Sequence, residues 1–444
     1  MGEVGAQSRP MGEEGAQSPF QPVVEEGAPP PFQPVGEEGA QRPSRNHLPL
    51  DATHAIRVVA DATGRRAEPV TLSGDAWVRS TAGDGAGLAL LHRLRNRSAV
   101  EEGFRVTAFG WAPVAEDSER MMGVDQTHES WVVGDRVVVK WMTEPLVGPH
   151  PAPDRLRRLS DAGFTESPEL LGLVEWQEPG SGHWIPLAVV QSYLPGTEDG
   201  WTWALDDARR ALGLLPGPTP VAFGTELGEV VGRMHHALVD DPPARMTPDL
   251  ARRYADDALA ALDLAVRMLE AHDPESFALL SEHRPGIEAV LGSLHEITGA
   301  PVLPVHGDLH VGQVLRDAAG RYAVVDLDGN PTVPADLRAA PAPAARDVAQ
   351  MLVSIENVEH VVRHYAPDLA DDGGRTWTAA EQAAFLEGYR RTLGSRGDLY
   401  DEALVPAYDW EQVCREIVYA GQHELWEWVY VPAAELRRRL EPEV

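Results

Sequence analysis

The hydrophobic period of this chain changes once, at Pro195-Gly196, and that change restricts its fold more than any other feature. From about His47 to that point, apolar residues alternate in short runs: AIRVVAD, PVTLSG and FRVTAFGWAPV, separated by Gly and Asp turns. A period of two is the signature of half-buried strands. SWVVGDRVVVKW alternates about a Gly-Asp pair, the pattern of a β-hairpin, and ends at Lys140. A short helix over APDRLRRLSDAG stops at a glycine, and ELLGLVEWQ and HWIPLAVVQSYL predict two further strands. Beyond Gly196, TELGEVVGRMHHAL, YADDALAALDLAVRML, ARDVAQMLVSIENVEHVV and EQAAFLEGYRRTL space their apolar residues by three and four, as helices do. One stretch breaks this rhythm. VLPVHGDLHVGQVLRDAAGRYAVVDLDGNP is a turn-rich loop running into two short strands about an Ala-Gly turn.

The expected fold class is α+β, with two lobes joined at the Pro195-Gly196 hinge. Residues 1–46 repeat GEEGAQ (12–17 and 36–41) and PFQPV (19–23 and 31–35), a composition with too few core formers to offset its ordering entropy. They are expected to be a disordered tail. Residues 47–115 are expected to form a β-rich cap, 116–195 a smaller lobe and 196–444 a helical lobe.

Composition excludes several classes of function. A formal charge of -31 opposes binding to nucleic acid or to an anionic membrane. No apolar run reaches the roughly 18–20 residues of a membrane helix. The N-terminus has neither the basic nor the apolar region of a signal peptide, and Cys414 is the only cysteine, so the expected location is cytoplasmic. The oligomeric state is not legible. One count is sharper: among 38 basic residues, Lys140 is the single lysine. Where every other cation is Arg, one Lys points to a need for a compact ammonium, as in a tight phosphate site.

The chemistry concentrates in HGDLHVGQ (306–313) and VVDLDG (324–329). Phosphoryl transfer needs a carboxylate to deprotonate the attacking hydroxyl, oxygen ligands for Mg²⁺, and cations on the nucleotide phosphates. Asp308 precedes Gln313 by five residues, the spacing of a catalytic base and a metal-binding amide. Asp326 ends a following strand as a second metal ligand, and Lys140 on VVVK matches the phosphate-pairing lysine. His306 reads as a hydrogen-bonded loop residue. His310 either faces substrate or packs, and Asp328 either touches metal or forms a turn. A zinc site on His306, Asp308 and His310 would need further ligands, and His235-His236 supply no second cluster.

These motifs resemble the kinase-like phosphotransferases that include the aminoglycoside phosphotransferases and actinobacterial maltokinases, from about Val114 to Pro432. The resemblance implies a two-lobed protein-kinase-like fold, a β-rich cap and smaller lobe before a mainly helical lobe, using ATP and Mg²⁺. GVDQTHESWVVGDRVVVKW resembles the family's phosphate loop and hairpin, placing Gln126, Thr127 and Ser130 at the phosphates beside Lys140. Asp154 stands where the family has a lysine-pairing Glu. Val190–Leu194, with Gln191, Tyr193 and Leu194, would meet adenine. HGDLHVGQ, DLDGNP and CREIVYAGQHELWEW together resemble the actinobacterial glucosamine kinases. That implies a small sugar, glucosamine, bound by Asp308, His310, Arg346, Glu416, Tyr419 and Gln422, and phosphorylated to glucosamine 6-phosphate. Ala420 replaces an acidic residue of the maltokinases. The alternatives are a maltokinase, an aminoglycoside phosphotransferase, and a pseudokinase that only binds nucleotide. Helical spacing also puts Gln412, Glu416, Tyr419 and His423 on one face, with Trp426 and Trp428 as surfaces for a sugar ring.

Overall fold

Gly134 and Asp135, the two turn residues of the hairpin, both take left-handed φ values, 57° and 49°, which matches the turn to the twist of its strands. The computed structural model describes residues 46–441 except 62–63, 96–98, 102, 111–117, 123–127, 144–147, 370 and 426–427. Of the expected tail only Asn46 is described. Its carbonyl accepts the Val58 amide at 2.8 Å, so it belongs to the first sheet.

That sheet is antiparallel, in the order β1 (His47–Pro49), β2 (His54–Asp61), β3 (Gly64–Ser73), β4 (Ala76–Arg79). Helix α1 (Ala86–Arg95) follows. A seven-stranded sheet then takes β5 (Ala99–Glu101), β6 (Phe104–Ala108), β7 (Glu119–Met121), β8 (Glu129–Val133), β9 (Val137–Trp141), β10 (Leu170–Gln177) and β11 (Trp184–Ser192). Their order is β5-β6-β10-β11-β9-β8-β7, with α2 (Ala152–Asp161) between β9 and β10 in the chain.

The cap expected over 47–115 is therefore smaller. FRVTA, as β6, pairs with β10 inside the larger sheet, and α1 lies between the two sheets in sequence. Alternation reveals a strand but not its partner. Ile56 and Val58, Leu90 and Leu94, and Phe104, Trp131, Val139 and Val174 share one continuous core. Gly172 lets α1 close on β10, since a Cβ there would lie 2.5 Å from Leu94 Cδ1.

After the hinge come α3 (Gly200–Ala211), α4 (Gly224–Leu238), β12 (Ala244–Arg245), α5 (Pro248–His272), α6 (Pro274–Gly292) and β13 (Pro301–Val302). The short pair β14 (Val314–Arg316) and β15 (Tyr322–Val324) precedes α7 (Ala335–Arg338), α8 (Ala345–Tyr365), α9 (Asp371–Leu393), α10 (Val405–Gln422) and α11 (Tyr430–Leu440). Asp199 caps α3 by accepting the Thr202 amide, and Thr247 caps α5 through the Leu250 amide. The larger core runs through this lobe and takes in Leu156 and Leu159 of α2. So α2 packs with the helical lobe although it leaves the chain between two strands of the sheet. The α+β, two-lobed arrangement predicted by the change of period is present.

Candidate active site

Helix α8 holds the loop that carries Asp308. The buried Asp347 carboxylate accepts the His306 and Gly307 amides, both at 2.7 Å, and the His235 ring at 3.0 Å. One turn on, Gln350 accepts the Leu309 amide at 3.0 Å and donates to the Gly307 carbonyl at 3.1 Å. Ser354 accepts the Val311 amide at 2.9 Å. Burial works against the Asp347 charge, but His235, His306 and the Gly307 amide together hold its pKa below the usual range. His235 reaches Asp347 from α4, whose Gly228 packs so tightly on α9 that a Cβ would lie 2.1 Å from the Phe385 carbonyl oxygen. On the other flank only glycine fits at Gly200, where a Cβ would fall 1.6 Å from the Val311 carbonyl oxygen.

Asp308 lines a cavity of about 390 Å³. Burial raises its pKa, which His310, His306 and the Asn330 hydrogen bond partly oppose. Asn330 Nδ2 donates to Asp308 Oδ1 at 2.9 Å, which fixes the carboxylate and leaves Oδ2 for another partner. His306 Nε2 lies 2.9 Å from the Val325 carbonyl, the loop-supporting role read from sequence. His310 lines the cavity, its Nδ1 lacks a partner among the described residues, and burial holds its pKa down.

Asp326 takes φ 59°, a left-handed value that a non-glycine residue adopts only when its surroundings impose it. Lys140 Nζ donates to Asp326 Oδ1 at 2.9 Å and to Asp328 Oδ2 at 3.2 Å, joining the smaller lobe to the end of β15. Gln313 Nε2 lies 3.4 Å from Asp326 Oδ2. Burial would raise the pKa of Asp328, but Lys140, His150 and His128 hold it well below the usual carboxylate range. His150 itself is pushed down to about 4 by burial. Among the described residues no three His, Cys, Asp or Glu side chains group to hold a metal. Two carboxylates and one amide do come together, and with the Gln313 amide turned to present its oxygen they make an all-oxygen donor set. It fits Mg²⁺, which takes one or two protein carboxylates and completes its shell with phosphate oxygens and water.

The opposite wall is α10 and the segment after it: Gln412, Glu416, Tyr419, Ala420, Leu425 and Trp428. Glu416 accepts Gln412 Nε2 at 3.1 Å and Asn357 Nδ2 at 3.0 Å, and burial pushes its pKa up to about 7. Asp347, Gln350, Ser354 and Asn357 thus form a polar stripe at spacings of three and four along one face of α8. That stripe, legible in DVAQMLVSIEN, is the signal by which these supporting residues could have been found.

Several expected residues lie elsewhere. Asp154 does not meet Lys140: its side chain is 62% exposed and pairs with Arg158 at 2.8 Å. Successive helical residues point about 100° apart, and it is the neighbouring Arg155 that faces inward. Arg155 donates to the carbonyls of His306 at 2.9 Å, Leu327 at 2.7 Å and Arg338 at 2.8 Å. Arg346 does not line the cavity but is a buried support, bonded to Glu411 at 2.8 Å and 5.3 Å from the Tyr254 ring centre. Gln422 is exposed at the last turn of α10, outside the cavity lining. Ser130 is buried on β8 opposite Lys140 in register, and does not line the cavity. Gln191, Tyr193 and Leu194 end β11 and enter the hinge, also outside the lining, with the Tyr193 amide on the Arg136 carbonyl at 2.8 Å. Gln126, Thr127 and Trp426 lie outside the described residues.

A model of the phosphotransferase enzyme family (APH) matches residues 134–403, which include Lys140, Asp308, Gln313 and Asp326. The chain belongs to this family. A glucosamine kinase of Mycolicibacterium smegmatis is 39% identical to this phosphotransferase over 394 residues, covering 87% of this chain and 96% of that protein. One of Streptacidiphilus jiangxiensis is 41% identical over 398 residues, covering 87% and 88%. A solved structure of a glucosamine kinase in complex with glucosamine, ADP and inorganic phosphate aligns with a TM-score of 0.76 at 38% identity. It covers 89% of this phosphotransferase and 93% of that chain. The expectation of a kinase-like phosphotransferase is borne out, and an enzyme that transfers phosphoryl groups from ATP is what these relatives describe. Among the described residues no helix is long and apolar enough to cross a membrane.

Proposed function

We propose that this phosphotransferase moves the γ-phosphoryl group of ATP to a hydroxyl of glucosamine, O6, giving glucosamine 6-phosphate and ADP. The observation that carries the sugar assignment is two carboxylates lining one cavity, Asp308 from the loop after β13 and Glu416 from α10; Asp308 would face the hydroxyl to be phosphorylated and Glu416 the amine. Glucosamine near neutral pH carries an ammonium, and a buried carboxylate binds it through charge-assisted hydrogen bonds. The names of the similar proteins support the same substrate. Ala420 lines this wall where the maltokinase resemblance calls for an acid, which disfavours maltose.

In the reaction Asp308 orients the hydroxyl and takes its proton, the oxygen attacks the γ-phosphorus, and the bond to the β–γ bridging oxygen breaks to release ADP. Asn330 holds Oδ1, so Oδ2 receives the proton. Lys140 pairs with the phosphates, leaving its resting partners Asp326 and Asp328. Gln313 and Asp326, with Asp328, would hold Mg²⁺, which supplies charge neutralisation at the phosphates. Tyr419 and His310 line the sugar end. The buried, free Cys414 agrees with a cytoplasmic enzyme. An ATP-consumption screen over glucosamine, N-acetylglucosamine, glucose, maltose and aminoglycosides tests the assignment. Turnover confined to maltose or to aminoglycosides would replace it, and none with any acceptor would leave a nucleotide-binding pseudokinase.

A further inference from the structure

We propose that Arg338, with His150 beside it, is the anion subsite that receives the phosphoryl group in flight. The inference rests on phosphoryl transfer as read above, but not on which sugar accepts the group. Arg338 lines the cavity together with Asp308 and Asp328. Its guanidinium donates no hydrogen bond to a described residue and forms no ion pair with one, and its Nε is sealed from solvent. Planar guanidinium donors are suited to phosphate oxygens, and leaving them unused in a cavity shared with two half-buried carboxylates needs a ligand to explain it.

The position of Arg338 is built rather than incidental. Its side chain crosses Gly329, where a Cβ would fall 2.8 Å from Arg338 Cγ, so only glycine lets it pass. Its carbonyl is held by Arg155 Nη2 at 2.8 Å, and the same guanidinium holds the carbonyls before Gly307 and Asp328. One rigid fork therefore sets Arg338 in register with the loops that bear the base and the metal ligands. His150 contributes a second donor. Ala152 N donates to His150 Nδ1 at 3.3 Å, so the ring hydrogen sits on Nε2, which lines the cavity region without a described partner. A cation and a neutral N–H offered to the same space suit a tetrahedral oxyanion and repel a metal ion.

The test uses the full chain with ADP, Mg²⁺ and aluminium fluoride, a probe that imitates the transferring group, beside steady-state kinetics. Arg338→Gln is expected to lower kcat about 10²–10³-fold, the usual loss for one preorganised donor to developing charge. KM for ATP and sugar should stay within threefold. ADP affinity should be kept, while the extra affinity given by aluminium fluoride is lost. Arg338→Lys should restore part of kcat, and His150→Phe should cost less than Arg338→Gln on the same readouts. A kcat within threefold of wild type, or equal losses for ADP with and without fluoride, would overturn the proposal. If Arg338→Gln does not fold, Arg338→Lys decides: unchanged fluoride affinity in that variant counts against it. Failure of the sugar assignment is separate, because wild-type binding of ADP and aluminium fluoride needs no glucosamine turnover.

Discussion

Replacing Glu416 with Gln should make the protein more stable at pH 8 and a worse glucosamine kinase, two changes of opposite sign from one atom. Burial lifts the Glu416 pKa from an ordinary 4.5 to about 7. A group whose folded pKa is raised contributes stability that is full below pH 4.5 and is lost as pH rises through about 7. At pH 8 the ionised side chain therefore costs the native state up to about 3 kcal/mol relative to a neutral one. Gln is neutral at every pH and can accept from Asn357 and Gln412 through its remaining oxygen. Glu416→Gln should raise Tm by a few degrees at pH 8 and change it little at pH 5. Substrate binding should move the other way. A charge-assisted bond to the ammonium contributes on the order of 1.5–3 kcal/mol, so kcat/KM for glucosamine should fall roughly 10–150-fold. Glucose, with a neutral hydroxyl at that carbon, should change little or improve, and N-acetylglucosamine should be rejected by both enzymes. Thermal melts at two pH values and coupled ADP-release kinetics on the three sugars measure all of this. Equal losses for glucosamine and glucose, with a lower Tm at pH 8, would show that Glu416 supports the wall without binding the amine.

Four further outcomes are expected. Asp308→Asn should lower turnover about 10²–10⁴-fold with nucleotide binding intact; near wild-type turnover would remove it from the mechanism. Lys140→Arg should damage kcat although it conserves charge, since a branched planar cation does not fit between Asp326 and Asp328 as a compact ammonium does; an equally active variant would make the lone lysine a coincidence. Asp347→Asn should turn an amide toward one of the two loop N–H groups, costing about 1–3 kcal/mol and lowering kcat and Tm together; a fall in Tm with kcat untouched would show that the loop keeps its shape without this carboxylate. Deleting residues 1–45 should leave melting temperature and sugar kinase activity unchanged, and a large fall in either would show that the segment docks on the folded protein.

The polar groups that meet in the cavity were legible in the sequence because they lie in short motifs in a recognisable order along the chain. Lys140 closes a hairpin, Asp308 and Gln313 share one loop, and Asp326 ends the next strand. What surrounds them was harder to see. Asp154 was matched to the family's lysine-pairing Glu by its place in the sequence, yet helix orientation decides which of two neighbours faces the other lobe, and the inward one is Arg155. Arg346 was placed at the sugar by the resemblance alone, whereas it is buried against Glu411 of α10, outside the cavity lining. Helices α1 and α3 escaped notice because their sequences, AGLALLHRLR and GWTWALDDARRA, are bounded by turns that read equally well as loops. β6 was recognised as a strand, but its partner is 70 residues away at the level of Arg105 and Glu175, and no local pattern encodes that pairing.

The position of the one lysine turns ordinary protein chemistry into a probe of this site. Lys140 is the one side-chain amine of the sequence, and it is held in the cavity with its side chain 17% exposed and paired to two carboxylates. Slow acylation that tracks loss of turnover reports on Lys140 alone. Cleavage after lysine in the unfolded chain gives two fragments, and the modified residue marks the junction between them, so occupancy of the phosphate site can be read by mass from a single missed cut.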